Sequence, residues 1–191
     1  MGDQYPVKLT YLLIALMVVI FLAQNTTNKW VYFALIPAFI AKYPWMLLTS
    51  IFLHNSWNHL LINMFVLFLF GTYLERMLGS RRFIIVFLLA GLIGNFGYLF
   101  TAPTPTTPAL GASGAIYGIM GVLAVLDPFL IVYIGFIVPL PMILAVPAYA
   151  LIDLVGLFTP SNIGHGAHLG GLVLGIAYGL YIRSKNKRIV Y

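Results

Sequence analysis

Residues 111–127 read Gly111-Ala112-Ser113-Gly114-Ala115-Ile116-Tyr117-Gly118-Ile119-Met120-Gly121-Val122-Leu123-Ala124-Val125-Leu126-Asp127, and the length of this run decides how the chain is built. Ser113 to Asp127 is 14 residue steps, about 21 Å at ~1.5 Å rise per helical residue. The hydrocarbon core of a bilayer is ~30 Å thick. With Asp127 at one surface, a helix that begins at Ser113 stops several ångströms short of the other. The Gly111-Ala112 backbone that leads into it is then irregular at membrane depth, which is tolerated only where it is buried in protein or faces a water-filled cavity. A serine hydroxyl at the head of such a helix is a nucleophile type in a recessed, wet place.

The rest of the chain supplies the membrane that this argument needs. Of 191 residues, 62% are hydrophobic and 7% charged, against about 25% charged in ordinary soluble domains. Apolar segments follow one another without a long soluble insertion, so the chain reads as one polytopic membrane domain over residues 1–191. Six candidate spans fall at 9–23, 57–73, 83–100, 113–126, 141–158 and 167–182. The expected fold is all-α: six transmembrane helices, with a short and recessed fourth.

Charge sets the orientation. With both termini cytoplasmic, Lys8, Arg76, Arg81, Arg82, Arg183, Lys185, Lys187 and Arg188 face inside, and Lys29 and Lys42 face outside. The net charge of +6 is thus a topology signal and not a nucleic-acid footprint. No cysteine is present, which excludes disulfides, thiolate catalysis and cysteine-based zinc sites. The apolar stretch after Lys8 has no small-residue cleavage site behind it and reads as the first helix. Met1-Gly2 does not open a myristoylation motif, because Pro6 stands where Ser or Thr is required. Residues 25–45 form a semi-apolar loop rich in aromatic residues that suits the interface. The proline-rich stretch 101–108 cannot be helical. Residues 129–140 fit either an interfacial hairpin or an early start to the fifth helix.

Polar groups kept inside a membrane usually line a cavity or pathway. Serine needs a neighbouring base to become a nucleophile, and His168, near the outer end of the sixth span, lies at a depth that matches Ser113. Gly114 with Gly118, and Gly171 with Gly175, are small-xxx-small spacings that allow the two helices to approach closely. His59 and Asn63 are four apart on one helix face. Both can donate hydrogen bonds to an oxyanion, as can the Ser113 backbone N–H. Tyr117, one turn below Ser113, is placed to pack against the His168 ring, and His54 to hold water or the loop. The chemistry these residues support is peptide-bond hydrolysis within the bilayer.

Blander roles compete with each of these. Ser113 and His168 also suit interhelical packing, His59 and Asn63 suit hydrogen-bond glue, and Tyr117 suits core packing. Asp153 reads as a structural hydrogen-bonding group, although an acid there invites comparison with a catalytic triad. His165 reads as an outer-loop residue without a chemical role. No metal site is expected. His54 and His59 are five apart with no His-Glu-x-x-His pattern, and His165 and His168 lack a carboxylate near in sequence. The soluble-hydrolase Gly-x-Ser-x-Gly elbow also fails, since Ala115 stands at its last position.

In order and spacing, three motifs resemble the rhomboid intramembrane serine proteases: His54 with His59 and Asn63; then Gly111, Ser113, Gly114, Tyr117 and Gly118; then Gly166-Ala167-His168 with Gly171. The resemblance runs over about residues 45–181. It implies a six-helix core, a Ser113–His168 dyad with no required acid or cofactor, and an oxyanion site at His59 and Asn63. It implies single-pass transmembrane proteins as substrates within the lipid bilayer, cleaved beside small residues. Glu75, in Glu75-Arg76-Met77-Leu78-Gly79-Ser80, would tie loops together. Family members commonly carry Trp-Arg before the second span, whereas here Met46 follows Trp45. A compact chain of this kind suits a prokaryotic inner membrane. Two other readings remain open: a catalytically silent relative that binds transmembrane clients, and a small transporter or channel.

Overall fold

The computed structural model describes residues 5–135 and 137–185. Met1, Gly2, Lys187 and Arg188, which entered the arguments on myristoylation and charge, lie outside the described residues. The described chain is mostly helical. Its longer helices are α1 (Leu9–Gln24), α2 (Trp57–Leu78), α3 (Ser80–Thr101), α4 (Ser113–Leu126), α5 (Met142–Gly156) and α6 (His165–Lys185). Among the described residues, α2 and α3 are each long and apolar enough to cross a membrane by themselves, while α1, α4 and α5 are apolar but shorter.

Helix starts and stops follow local chemistry. The Ser56 side chain accepts a hydrogen bond from the His59 N–H and caps α2. Leu67–Gly71, in the middle of α2, winds as a π-helical turn. At Gly79 the backbone turns with φ +79°, so that α3 begins without a linker. Asp127 ends α4. Between α4 and α5 the chain forms a two-stranded hairpin, β1 (Ile131–Ile134) and β2 (Val138–Pro141), in register Ile131↔Pro141. Of the two forms open to residues 129–140, the hairpin is the one adopted. Pro139 and Pro141 have no N–H to continue a helix.

Helix α4 sits at the centre, buried along Gly114–Leu126 against α3 and α6. The approach is close enough to require glycine. A Cβ on Gly171 would stand 1.9 Å from the Gly114 carbonyl oxygen, and one on Gly175 2.0 Å from that of Gly118. A Cβ on Gly97 would likewise meet the Gly166 carbonyl oxygen at 2.3 Å. Contacts through small residues take the place of the bulky knobs that hold helices together in water.

The periphery is apolar as well. On α5 only Met142, Ala145, Val146, Asp153 and Gly156 are buried, while Ile143, Leu144, Leu151, Ile152, Leu154 and Val155 are exposed. Exposed apolar surface on that scale, with more on α1 and α2, marks a face that meets lipid.

Glu75 is buried near the C-terminal end of α2. Its carboxylate accepts from the N–H groups of Lys8 (3.0 Å), Leu9 (2.9 Å) and Thr10 (2.8 Å), from the Thr10 hydroxyl (2.7 Å) and from the Ser80 hydroxyl (2.5 Å). It thereby satisfies the otherwise orphaned first N–H groups of α1 and fastens α1 to the α2–α3 junction. Met46 is buried with Leu35, Ile36 and Tyr98. An apolar side chain thus fills the place where an arginine was expected from the family pattern, and Trp45 anchors the loop by donating its indole N–H to the Tyr32 carbonyl at 3.0 Å.

Candidate active site

Ser113 is the first residue of α4, and His168 lies one turn into α6. The glycine contacts between the two helices bring Ser113 Oγ to 2.8 Å from His168 Nε2. The Tyr117 ring lies flat on the imidazole, with centroids 4.2 Å apart and planes at 13°. Tyr117 also meets Tyr149 of α5 edge-on, with centroids 6.1 Å apart.

The entry into α4 is shaped by Gly111. Its φ of +127° strains any other residue, and its N–H donates to the Ser50 carbonyl at 2.9 Å. A Cβ here would also meet the His59 ring at 2.6 Å, so the imidazole packs directly on the Gly111 backbone. Asn95 of α3 donates to the Leu47 carbonyl (2.7 Å) and to the Ser50 hydroxyl (2.9 Å), which holds the turn that receives Gly111. A pair of backbone hydrogen bonds between Leu35 and Ala109 clamps the same loop from the outside.

On α2, Asn63 is buried and donates to the His59 carbonyl at 2.8 Å. One amide N–H is engaged in this way and a second is left on the same nitrogen. His54, in the loop before α2, is buried and meets His59 edge-on at 5.1 Å between centroids. Its backbone is pinned by the Gln24 side chain, whose Nε2 donates to the His54 carbonyl and whose Oε1 accepts the His54 N–H. Burial first, and then the neighbouring His59, pushes the His54 imidazole down to about 3. His54 therefore packs under the site as a neutral ring.

Ser113, His168, His59, Asn63 and Tyr117 all line a single cleft of about 1230 Å³ that continues past Tyr73 and Tyr149 to the β1–β2 hairpin. Its walls are mostly apolar, and the side chains of Ser113, His168, His59 and Asn63 are among its polar groups. Gly114 and Gly171 serve the helix contact, and Glu75 lies at the other end of α2.

Two residues stand differently from the sequence reading. His165 is not in a loop: it opens α6, is buried, and its Nδ1 lies 2.6 Å from Asp153 Oδ1. Asp153 Oδ1 also lies 2.9 Å from His168 Nδ1. The carboxylate partner that the two histidines lack in sequence is therefore supplied from α5. The apolar α5 segment carried the signal in Asp153 itself, an acid that a lipid-facing helix keeps only with a partner. Its partners, 12 and 15 residues away across a turn, follow no helical or strand period.

The ligand atoms of Asp153, His165 and His168 lie within 4.8 Å of one another, so these are the residues that could hold a metal ion. All four imidazole nitrogens of the pair already have partners, because His165 Nε2 lies 2.9 Å from the Ser161 hydroxyl. A metal would have to displace that network, and the geometry is that of hydrogen bonding.

A family model described as the rhomboid domain matches residues 41–185. Over 59 residues the chain is 49% identical to the putative rhomboid protease YdcA of Bacillus subtilis (strain 168), covering 31% of this chain and 30% of that protein. Over 105 residues it is 36% identical to the rhomboid protease GluP of the same organism, covering 51% of this chain and 21% of that protein. Over 63 residues it is 36% identical to the inactive RHOMBOID-like protein 8 of Arabidopsis thaliana, covering 32% of this chain and 18% of that protein. The chain thus spans less than a third of the length of each of these relatives.

Proposed function

The chain belongs to the rhomboid family, and on that premise we propose that it is an intramembrane serine protease acting through Ser113 and His168. The observation that carries this reading is the 2.8 Å contact between Ser113 Oγ and His168 Nε2 in the lining of a mostly apolar cleft. The whole chain forms one protease domain. All six helices cross the bilayer: α2, α3, α5 and α6 pack against α4, and α1 packs on α2, so the shorter helices share one bundle with the two that are long and apolar enough alone. Both termini face the cytoplasm, and the host is a prokaryotic inner membrane.

The substrate is a single-pass membrane protein whose helix unravels near the scissile bond, since a helix hides its carbonyls in its own hydrogen bonds. Ser113 Oγ attacks the carbonyl carbon while His168 Nε2 takes the hydroxyl proton. The oxyanion is met by Asn63, His59 and the Ser113 N–H, each donor contributing about 2.7–4 kcal/mol. His168 then gives its proton to the leaving amine. Water, activated by the same imidazole, releases the acyl group.

A second reading has one observation in its favour: a relative named as inactive matches part of the chain. On that reading the cleft binds transmembrane clients without cleaving them. Intact-mass analysis of detergent-purified protein after a fluorophosphonate probe separates the two. One adduct on Ser113, absent in Ser113→Ala and His168→Ala, is the expected result. Folded protein that takes up neither this probe nor a smaller one would establish the client-binding reading instead.

A further inference from the structure

A continuous run of hydrogen bonds passes through Asp153 and has a serine at each end. Ser113 Oγ is 2.8 Å from His168 Nε2, and His168 Nδ1 is 2.9 Å from Asp153 Oδ1. The same Oδ1 is 2.6 Å from His165 Nδ1, and His165 Nε2 is 2.9 Å from Ser161 Oγ. An ionised carboxylate only accepts hydrogen bonds. Both imidazoles therefore carry their hydrogen on Nδ1, and each turns a bare Nε2 toward a serine hydroxyl. For His168 this is the tautomer that a general base needs.

We propose that Asp153 is a positioning residue for the Ser113–His168 reaction, fixing the tautomer and ring angle of His168, and that His165 braces the carboxylate from its other side. This deepens the protease reading and rests on it. It adds a member to a pair that the family resemblance describes as needing no acid.

A purely structural role does not account for the geometry. Asp153 is 2% exposed within an apolar helix, where an unpaired charge is costly. The 2.6 Å contact to His165 alone would tie α5 to α6. The second contact falls on the one His168 nitrogen that lies opposite Ser113. Tyr117, stacked on the face of the same ring, restrains tilt but cannot choose the tautomer.

The proton accounting is closed without Asp153 taking part as an acid. On attack, the Ser113 hydroxyl proton passes to Nε2, and the Nδ1 hydrogen stays on nitrogen, pointing at the carboxylate. The Nε2 proton leaves with the amine. In deacylation a water proton takes the same place and returns to Ser113 Oγ. Asp153 remains ionised throughout and faces the imidazolium formed in each half-reaction.

The test combines ¹⁵N-histidine NMR of the full chain in detergent micelles with the rate of fluorophosphonate labelling. Wild type is expected to show His168 as the Nδ1–H tautomer. Asp153→Leu keeps the branched outline of the side chain within an apolar helix but removes the acceptor. It is expected to move His168 to the Nε2–H form and to slow Ser113 labelling by at least ~10²-fold in protein that stays folded, with a lower melting temperature from the lost α5–α6 contact. Asp153→Asn, which keeps an acceptor oxygen without the charge, should fall between wild type and Asp153→Leu. His165→Gln should keep the tautomer and slow labelling by less than about tenfold. Asp153→Leu labelled within about threefold of wild type, a wild-type His168 in the Nε2–H form, or an adduct on Ser161 in place of Ser113 would each overturn the proposal. Absence of any wild-type adduct would instead remove the protease reading, and the tautomer measurement would still decide the role of Asp153.

Discussion

The Tyr117 ring stacks on His168 at 4.2 Å between centroids, so the imidazole is held on its flat face by the same helix that carries Ser113. Aromatic stacking of this kind is worth about 0.5–1.5 kcal/mol beyond the area it buries. A tenfold change in rate corresponds to about 1.4 kcal/mol. Tyr117→Ala should therefore lower kcat on a model transmembrane substrate by roughly 3- to 10-fold, and Tyr117→Phe by less than about twofold. An equal loss in both variants would assign the effect to the hydroxyl and not to the stack.

Close contact between α4 and α6 is what lets a serine on one reach a histidine on the other. A Cβ on Gly175 would meet the Gly118 backbone, its oxygen at 2.0 Å and its carbonyl carbon at 2.7 Å. Backbone cannot move aside as a side chain would, so Gly175→Ala must push the helices apart. Overpacking of this kind costs about 1–3 kcal/mol, and the melting temperature in detergent should drop accordingly. Gly164→Ala is the contrasting control. Its nearest neighbour would be the Ala167 side chain at 3.6 Å, an ordinary contact, and its melting temperature should stay near wild type.

Protonation offers a separate handle through His54. Its imidazole titrates near 3 in the folded protein, from burial and then from His59, and near 6.5 in an unfolded chain. Between those values the unfolded state binds the extra proton, so stability rises with pH there. The contribution of His54 is complete above about 6.5 and is lost as the pH falls toward 3. Melting temperatures taken from about pH 7 down to about pH 4.5 should decline more steeply for wild type than for His54→Leu. Parallel declines would show that other groups dominate the acid limb.

What was legible in the chain, and what was not, follows from the range of each interaction. The bounds of α4 agree between sequence and structure at 113 and 126, because a small-residue start and an Asp stop are local signals. Helix α2 runs to Leu78 and not to 73: Glu75 and Arg76 break the apolar run, but Glu75 is turned inward to receive the start of α1. His165 was missed as a buried site neighbour for a related reason. Its burial depends on Asp153, on a helix separated from it by a turn, and no periodicity of 2 or 3.6 relates the two. Polar pairs across a turn are invisible to pattern and become legible only when packing closes.

The oxyanion assignment to Asn63 makes the sharpest demand on kinetics. Asn63 is 4% exposed, and its Nδ2 donates to the His59 carbonyl at 2.8 Å on its own helix. A bond to a developing oxyanion forms in the transition state and not with bound substrate, so its loss falls on kcat and leaves KM alone. Asn63→Ala should lower kcat by roughly 10²- to 10³-fold. The melting temperature should move little, since the lost hydrogen bond goes to a carbonyl already in a helical ladder. Asn63→Asp replaces the donor with an acceptor and should do no better than Ala. His59→Phe tests the neighbouring donor while keeping a ring against Gly111. Because both donors serve one oxygen, the double variant should lose less than the product of the single losses. If Asn63 were only helix glue, Asn63→Ala would lower the melting temperature and leave kcat in place, which is the opposite pattern in both measurements.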